Sequence, residues 1–170
     1  MMVDSFFRCA RRSALLLLAA WLTFGVAPAT AGESLAVVRA DGSRLEISAE
    51  KLASLPHESF DAQQHDKLFH YSGIDIRAVL REAGIEPLEN LRGRSLRRVL
   101  LVEAADNYAV VFAFAELDPS IGNKRVYLVD RQNDTALAPN EGPWRLVVSS
   151  ESRPTRWVRQ VVRVSVVDLK

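Results

Sequence analysis

Two short segments near the end of the sequence combine arginine and tryptophan in a pattern that could bind a ligand. They are Gly142-Pro143-Trp144-Arg145-Leu146-Val147-Val148 and Arg153-Pro154-Thr155-Arg156-Trp157-Val158-Arg159. Arginine forks hold phosphate and carboxylate groups through paired hydrogen bonds, and an indole face stacks on flat rings or cations. The residues that could hold a flat heterocycle with polar or acidic groups are Arg145, Arg156, Trp157 and Arg159. The alternative interpretation is an edge strand with solvated arginines and one core tryptophan.

The first 31 residues have the features of an export signal. Three arginines precede an apolar run over residues 13–26, and Ala29-Thr30-Ala31 is an A-x-A cleavage site. This run is shorter than the roughly 20 residues that span a bilayer. We therefore predict a signal peptide over residues 1–31, one domain over 32–170, a periplasmic location and no stable membrane insertion after cleavage. An uncleaved N-terminal anchor is the alternative.

Cleavage after Ala31 would remove Cys9, the only cysteine of the sequence. The exported domain would then have no thiol for a disulfide, for a zinc, iron–sulfur or molybdenum site, or for nucleophilic catalysis. Removal of three arginines and one aspartate from 22 basic and 21 acidic residues would leave 19 and 20. Because this balance is nearly neutral, we do not expect nucleic acid as a partner.

Turn and strand patterns predict a mixed, mainly antiparallel α+β fold with few short helices. Asp41-Gly42 between two apolar runs predicts a hairpin, and a second hairpin is predicted around residues 104–108. Ser48 is a candidate N-cap of a short helix, and apolar spacing over 74–83 predicts another helix that ends at Gly84. Further strands are predicted over 126–129, 144–148 and 161–167. The polar segment after the first helix is ambiguous, and no βαβ alternation is present.

The order and spacing of several segments resemble the molybdopterin-binding domain of the sulfite-oxidase superfamily. The resemblance covers most of the sequence after residue 31. It rests on the two arginine–tryptophan segments and on Phe69-His70-Tyr71-Ser72-Gly73-Ile74-Asp75-Ile76-Arg77-Ala78-Val79-Leu80-Arg81-Glu82-Ala83-Gly84, Ala105-Asp106-Asn107-Tyr108 and Phe114-Ala115-Glu116-Leu117. It implies the fold of that domain and a pterin or molybdopterin-type ligand. It also adds Asp106 and Tyr108, at the tip of the second hairpin, as residues at the rim of a pocket.

The sequence departs from the catalytic members of this family where redox chemistry requires a metal ligand. Those members carry a molybdenum-ligating cysteine on the stretch before the segment Phe69–Gly73, whereas residues 60–66 here contain none. Asn107 also replaces the glycine expected after Asp106. Without a thiolate the metal loses its tether to the protein, and the redox chemistry belongs to the cofactor rather than to the fold. We therefore predict no catalytic residue.

Acidic and imidazole side chains suggest two further chemistries. Glu141 could accept hydrogen bonds from the aminopyrimidine edge of a pterin, or it could be an exposed turn residue. His57, His65 and His70 lie close to carboxylates in the sequence, a composition that suits zinc or copper. Their spacings of eight and five residues match no short metal motif, and alternation along a strand would separate them. We therefore predict no metal site in this segment.

We interpret the protein as an exported, non-catalytic binding protein for a small heterocycle of the pterin type. The resemblance implies that such a protein reports to a membrane-bound signalling protein that regulates cyclic diguanylate. One alternative is a molybdenum-cofactor-dependent oxidoreductase of the sulfite-oxidase superfamily. The other is a protein–protein adaptor that has kept the fold and lost the ligand.

Overall fold

The computed structural model describes residues 34–170, which form two five-stranded sheets. The predicted signal peptide, residues 1–31, lies outside the described residues. The strands are β1 (Ser34–Val38), β2 (Arg44–Ser48), β3 (His57–Gln64), β4 (Lys67–Asp75), β5 (Arg98–Ala104), β6 (Ala109–Ala113), β7 (Tyr127–Gln132), β8 (Thr135–Ala136), β9 (Arg145–Val147) and β10 (Val161–Asp168). The helices are α1 (Ala49–Ala53), α2 (Ile76–Glu82) and α3 (Phe114–Leu117), with 3-10 turns at Gly93–Arg97 and Pro154–Arg156. Over residues 34–170, none of these helices is long and apolar enough to cross a membrane.

The first sheet has the strand order β2-β1-β10-β5-β6. β1 pairs with β10 in parallel, and the other neighbouring pairs are antiparallel. The predicted β1–β2 hairpin turns at Gly42, whose φ of +83° is a conformation that glycine adopts without steric cost. The second predicted hairpin joins β5 to β6. Asn107 at its tip has a φ of +69°, so asparagine supplies the left-handed conformation there in place of the expected glycine.

The second sheet has the order β3-β4-β7-β8, and β9 also pairs with β7. All of these pairs are antiparallel. The segment that the sequence leaves ambiguous forms the long β3–β4 hairpin, which turns at His65 with a φ of +55°. β3 lies at the edge of the sheet and most of its side chains are exposed. An exposed edge strand needs no apolar alternation, which explains why the pattern gives no clear strand signal there.

α1 begins at the predicted N-cap and α2 ends before Gly84 as predicted, but α2 begins at Ile76 because Ile74 and Asp75 still belong to β4. Ser48 Oγ accepts a hydrogen bond of 3.2 Å from the Lys51 amide at the start of α1. Gly84, with a φ of +71°, follows the end of α2. Buried residues of β1, β5 and β10 belong to the same hydrophobic cluster as those of β4, β7 and β9, so one core joins the two sheets. This mainly antiparallel architecture with few short helices confirms the predicted α+β class.

The contact between β4 and β7 depends on a glycine. A Cβ atom at Gly73 would lie 2.5 Å from both the Leu128 carbonyl oxygen and the Val129 Cα. The pairing register of the two strands also shifts between Ser72 and Gly73. Because these neighbours are backbone atoms, they cannot move aside without displacing β7. β4 and β7 can therefore pair this closely only because residue 73 has no side chain.

We predict that Gly73→Ala lowers the free energy of unfolding by about 3 kcal/mol or more, because the methyl group overpacks the sheet. Gly42→Ala is the matched control: a Cβ there meets no atom within 4 Å. The control should lose only about 1 kcal/mol, the steric cost of a left-handed alanine. Urea denaturation of both variants measures the difference. Equal losses would show that β4 and β7 tolerate the methyl group.

Candidate functional site

A cavity of about 370 Å³ lies where loops of the two sheets meet. Its wall is formed by the turn after β3, the tip of the β5–β6 hairpin, the start of β9 and the segment before β10. The wall residues are Gln64, His65, Ala104, Asp106, Tyr108, Asn140, Arg145, Pro154, Trp157, Arg159 and Gln160. They include five of the candidate ligand-binding residues, namely Arg145, Trp157, Arg159, Asp106 and Tyr108. A cavity of this size is large enough for a small organic molecule.

Arg145 is a buried cation in the wall of this cavity. Its side chain is only 2% exposed, and its backbone pairs with Val129 across the β9–β7 ladder. Nη1 donates to Glu141 Oε2 and Nη2 donates to Gln64 Oε1, each over 3.1 Å. Arg145 Nε is also buried and has no acceptor among residues 34–170. The strand therefore fixes a guanidinium group at the cavity wall, and one carboxylate offsets its charge.

Two aromatic rings hold the guanidinium group of Arg145. Its central carbon lies 5.3 Å from the ring centroid of Trp157 and 5.9 Å from that of Tyr71. The two rings meet edge to face, with centroids 5.8 Å apart and an angle of 87°. Burial raises the pKa of Tyr71, although the charge of Arg145 opposes this effect. The phenol is therefore neutral at ordinary pH and serves as an aromatic support for the cation.

Trp157 contributes to both the cavity wall and the hydrophobic core. Its side chain is buried, with only 6% of the residue exposed. Nε1 donates a 3.1 Å hydrogen bond to the Val148 carbonyl oxygen. Since the nearby Arg145 guanidinium group already lies over the ring, little of the indole surface remains for a ligand. The structure therefore gives Trp157 the core position of the alternative interpretation, at the edge of the cavity.

Arg156 lies outside the cavity wall, unlike Trp157 and Arg159. Arg156 is the last residue of the 3-10 turn Pro154–Arg156, and the chain is extended only after it, where Val158 exchanges hydrogen bonds with Leu146. Neighbouring side chains of an extended chain point to opposite sides, whereas residues two positions apart share a side. Trp157 and Arg159 therefore reach the cavity together and Arg156 does not. Arg156 therefore does not line this cavity, in contrast to the other arginines of the predicted set.

Arg156 instead belongs to a cluster of ion pairs. Its Nη2 lies 3.2 Å from Glu116 Oε2 and also contacts Glu151 Oε1. Lys124 Nζ bridges the same two carboxylates at 3.1 Å. Burial disfavours the charge of Arg156, but the hydrogen bonds with Glu116 and Glu151 outweigh it and raise the pKa of Arg156. The cluster ties α3 to the loop after β9, a structural role.

Glu141 contacts the two arginines of the cavity and is not itself a wall residue. Its Oε2 accepts the hydrogen bond from Arg145 described above, and its Oε1 lies 3.5 Å from Arg159 Nε. Both carboxylate oxygens therefore face guanidinium groups, which compete with any pterin edge for the same acceptors. Glu141 is therefore better placed to orient Arg145 and Arg159 than to contact a ligand directly.

Asp106 and Tyr108 form the rim that the resemblance implies. Asp106 Oδ1 accepts a 2.9 Å hydrogen bond from the Tyr108 amide, the usual arrangement of an aspartate in a tight turn. The Tyr108 hydroxyl donates to the Thr155 carbonyl oxygen over 2.5 Å. This bond ties the β5–β6 hairpin to the segment that carries Trp157. Both side chains are exposed at the cavity mouth, where a ligand could touch them.

Gln64 and His65 are wall residues that the sequence reasoning did not select. They lie within residues 60–66, the stretch where the resemblance implies a metal-ligating cysteine in catalytic members of the family. The three histidines lie apart: His65 lines the cavity, His57 Nδ1 lies 2.8 Å from the Leu55 carbonyl oxygen, and His70 Nδ1 lies 2.8 Å from Asp61 Oδ1. In the described part of the chain, no three histidine, cysteine, aspartate or glutamate residues are placed to share a metal ion.

No protein-family model and no curated protein matches the sequence. Among solved structures, the fold is similar to that of the sulfane dehydrogenase SoxCD from Paracoccus pantotrophus, with a TM-score of 0.62 and 20% sequence identity. The match covers 80% of this chain and 38% of the SoxCD chain, so this chain spans less than half of that protein. The similarity supports the fold that the sequence segments predict. At this identity it shows the fold alone.

We predict that Trp157→Ala lowers the free energy of unfolding by about 3–5 kcal/mol, the usual cost of removing a large aromatic side chain from a core. Trp157→Phe should lose less, because the phenyl ring keeps part of the contact with Tyr71 and Arg145. Thermal melting of both variants tests this expectation. An alanine variant that melts like the wild type but loses pterin binding would assign Trp157 to the ligand instead of the core.

Proposed function

We propose that the cavity binds a small, flat heterocycle of the pterin type and that the protein is a binding protein rather than an oxidoreductase. The observation that carries this proposal is the pair of guanidinium groups, Arg145 and Arg159, at one wall of the cavity. Arg145 is fixed and buried, so it offers a permanent positive charge. A ligand with polar or acidic substituents around a flat ring would complement this charge.

Arg159 is the residue best placed to move toward a ligand. Its side chain is 56% exposed, and its distance to Glu141 is the 3.5 Å given above. An exposed ion pair of this length contributes little stability, so Arg159 can exchange Glu141 for an anionic group at low cost. Asn140, Gln160 and Tyr108 add neutral polar groups to the wall. These groups suit the mixed donors and acceptors of an aminopyrimidine ring.

The fold family implies molybdopterin as a cofactor, and the cavity fits the organic part of such a group better than its metal. Residues 34–170 contain no cysteine. Within residues 60–66, where the resemblance places the thiolate of catalytic members, this chain has Gln64 and His65, and the Gln64 amide oxygen accepts a hydrogen bond from Arg145. A neutral amide does not replace a soft thiolate ligand. The donor set therefore fits a metal-free pterin.

We extend the proposal to the cellular setting. The protein would act after export to the periplasm and would report its ligand-bound state to a membrane-bound protein that regulates cyclic diguanylate. The resemblance of the sequence segments supports this part. A pure adaptor without a ligand is the weaker alternative, because an adaptor would not need a buried guanidinium group beside a cavity of this size.

Pterin-6-carboxylate provides a direct probe of the cavity. We predict that the protein binds it and that Arg159→Gln weakens binding roughly fivefold, which corresponds to the loss of about 1 kcal/mol for one exposed charge contact. Arg94→Gln is the matched control, because Arg94 is exposed on the first 3-10 turn and does not line the cavity. Isothermal titration calorimetry measures both variants, and native mass spectrometry shows the bound mass.

Equal affinity of the wild type and Arg159→Gln would remove Arg159 from the site. Failure of the wild type to bind the probe, together with no bound heterocycle in the protein as purified, would overturn the proposed function.

The second candidate function is a molybdenum-dependent oxidoreductase, which the fold similarity to SoxCD favours. We expect this alternative to fail. Protein purified from a molybdenum-replete host should contain far less than one molybdenum per chain, because the domain offers no thiolate to tether the metal. Elemental analysis of the purified protein measures this ratio. A value near one molybdenum per chain would support the oxidoreductase.

A further inference from the structure

A second cavity of about 390 Å³ lies between α1, the strand β7 and the segment that precedes β9. Its wall is mainly apolar and includes Leu52, Ile74, Leu137, Pro143 and Trp144. Three ionisable residues, His57, Asp130 and Arg131, also line it. An apolar cavity of this size with a few polar groups has the composition of a small-molecule site.

Asp130 carries a charge that the protein compensates only in part. Its Oδ1 is buried and has no hydrogen-bond donor within residues 34–170. Its Oδ2 lies 3.6 Å from His57 Nε2, which is longer than a hydrogen bond. Buried polar atoms without partners are rare in folded proteins, so this carboxylate lacks the usual compensation. The Asp130 side chain is nevertheless 35% exposed and lines the cavity, so a cation there can reach the carboxylate.

With its ring neutral, His57 presents an acceptor to the same cavity. Its Nδ1 lies 2.8 Å from the Leu55 carbonyl oxygen. Because a carbonyl oxygen only accepts, Nδ1 must carry the proton, and the lone pair of the neutral ring is then on Nε2. Nε2 is the atom that faces Asp130. A carboxylate oxygen and an imidazole lone pair thus converge, an arrangement that matches a ligand with several N–H donors.

The cation nearest to Asp130 in the sequence does not neutralise it. Arg131 also borders the cavity, but its Nη1 donates to the Asp134 carbonyl oxygen over 2.9 Å. No ion pair joins Arg131 to Asp130 in the part of the chain that the structure describes. Trp144 forms part of the opposite lining, and an indole ring attracts organic cations. The cavity therefore combines an acidic group, an acceptor and an apolar wall.

We propose that this second cavity binds an organic ammonium ion with a short apolar chain. The ammonium group contacts Asp130 and His57, and the chain packs against Trp144, Leu137 and Pro143. This site is separate from the pterin-type site and does not depend on it. Trp144 lines the second cavity and Trp157 lines the first, so each cavity has its own indole reporter.

The test uses hexylammonium chloride as the probe and 1-hexanol as its neutral match. The indole N–H signals in ¹H–¹⁵N spectra of the full chain are assigned by their loss in Trp144→Phe and Trp157→Phe. Hexylammonium should shift the Trp144 signal in a saturable manner, and 1-hexanol should bind at least about tenfold more weakly, because it lacks the charge. The Trp157 signal should move little.

Asp130→Asn should weaken hexylammonium binding about tenfold, since the charge is lost while the shape of the side chain is kept. Asp134→Asn is the matched control: it removes the same charge four residues away, on a residue that does not line the cavity, and should bind like the wild type. Thermal melting shows whether both variants are folded.

If Asp130→Asn does not fold, the comparison of the two probes on the wild type is sufficient to test the proposal. The proposal would be overturned by equal binding of both probes or by wild-type affinity of Asp130→Asn for hexylammonium. A hexylammonium-induced shift of the Trp157 signal alone would also overturn it.

Discussion

The burial of the Arg145 guanidinium group is the constraint on which the rest of the site depends. A buried cation is costly, and here the cost is offset by Glu141, by the Gln64 amide and by two aromatic faces. These partners come from β3, from β4, from the loop before β9 and from the segment before β10. One side chain therefore fixes the relative positions of four separate parts of the chain. The cavity exists where these parts meet, because none of them can shift without exposing or unpairing the charge.

The adjacent residues Trp144 and Arg145 line two cavities of different chemical character. Arg145 faces the polar cavity, and Trp144 faces the apolar one. The two cavities also differ in charge, since the first presents guanidinium groups and the second presents Asp130 with little compensation. An anionic heterocycle and an organic cation would therefore bind at two different sites, which are lined by adjacent residues of the same segment. The similarity to SoxCD does not reveal this difference between the cavities, because it concerns the backbone and not the side chains that line each cavity.

Most of the fold follows from local sequence signals, whereas the site follows from them only in part. The hairpin at Gly42 and the caps at Ser48 and Gly84 were predictable because each depends on the conformational preference of one residue. The β3–β4 hairpin was not, since an exposed edge strand carries no apolar alternation. The sequence also identified the arginine-rich segments, but it could not show which of their arginines line the cavity. Arg156 and Arg159 have the same chemistry, and only the change from a 3-10 turn at Arg156 to an extended backbone after it directs one to an ion-pair cluster and the other to the cavity.

The parallel pairing of β1 with β10 has a consequence for how the chain reaches this state. β10 lies in the first sheet between two hairpins, β1–β2 on one side and β5–β6 on the other. A chain that emerges from its N-terminus makes both hairpins before the strand that joins them. Until β10 arrives, each hairpin has an unpaired inner edge, which is a surface open to other strands. Completion of this sheet therefore depends on β10, which follows its partner strands β1 and β5 in the sequence, and until β10 is made these edges can pair with other strands.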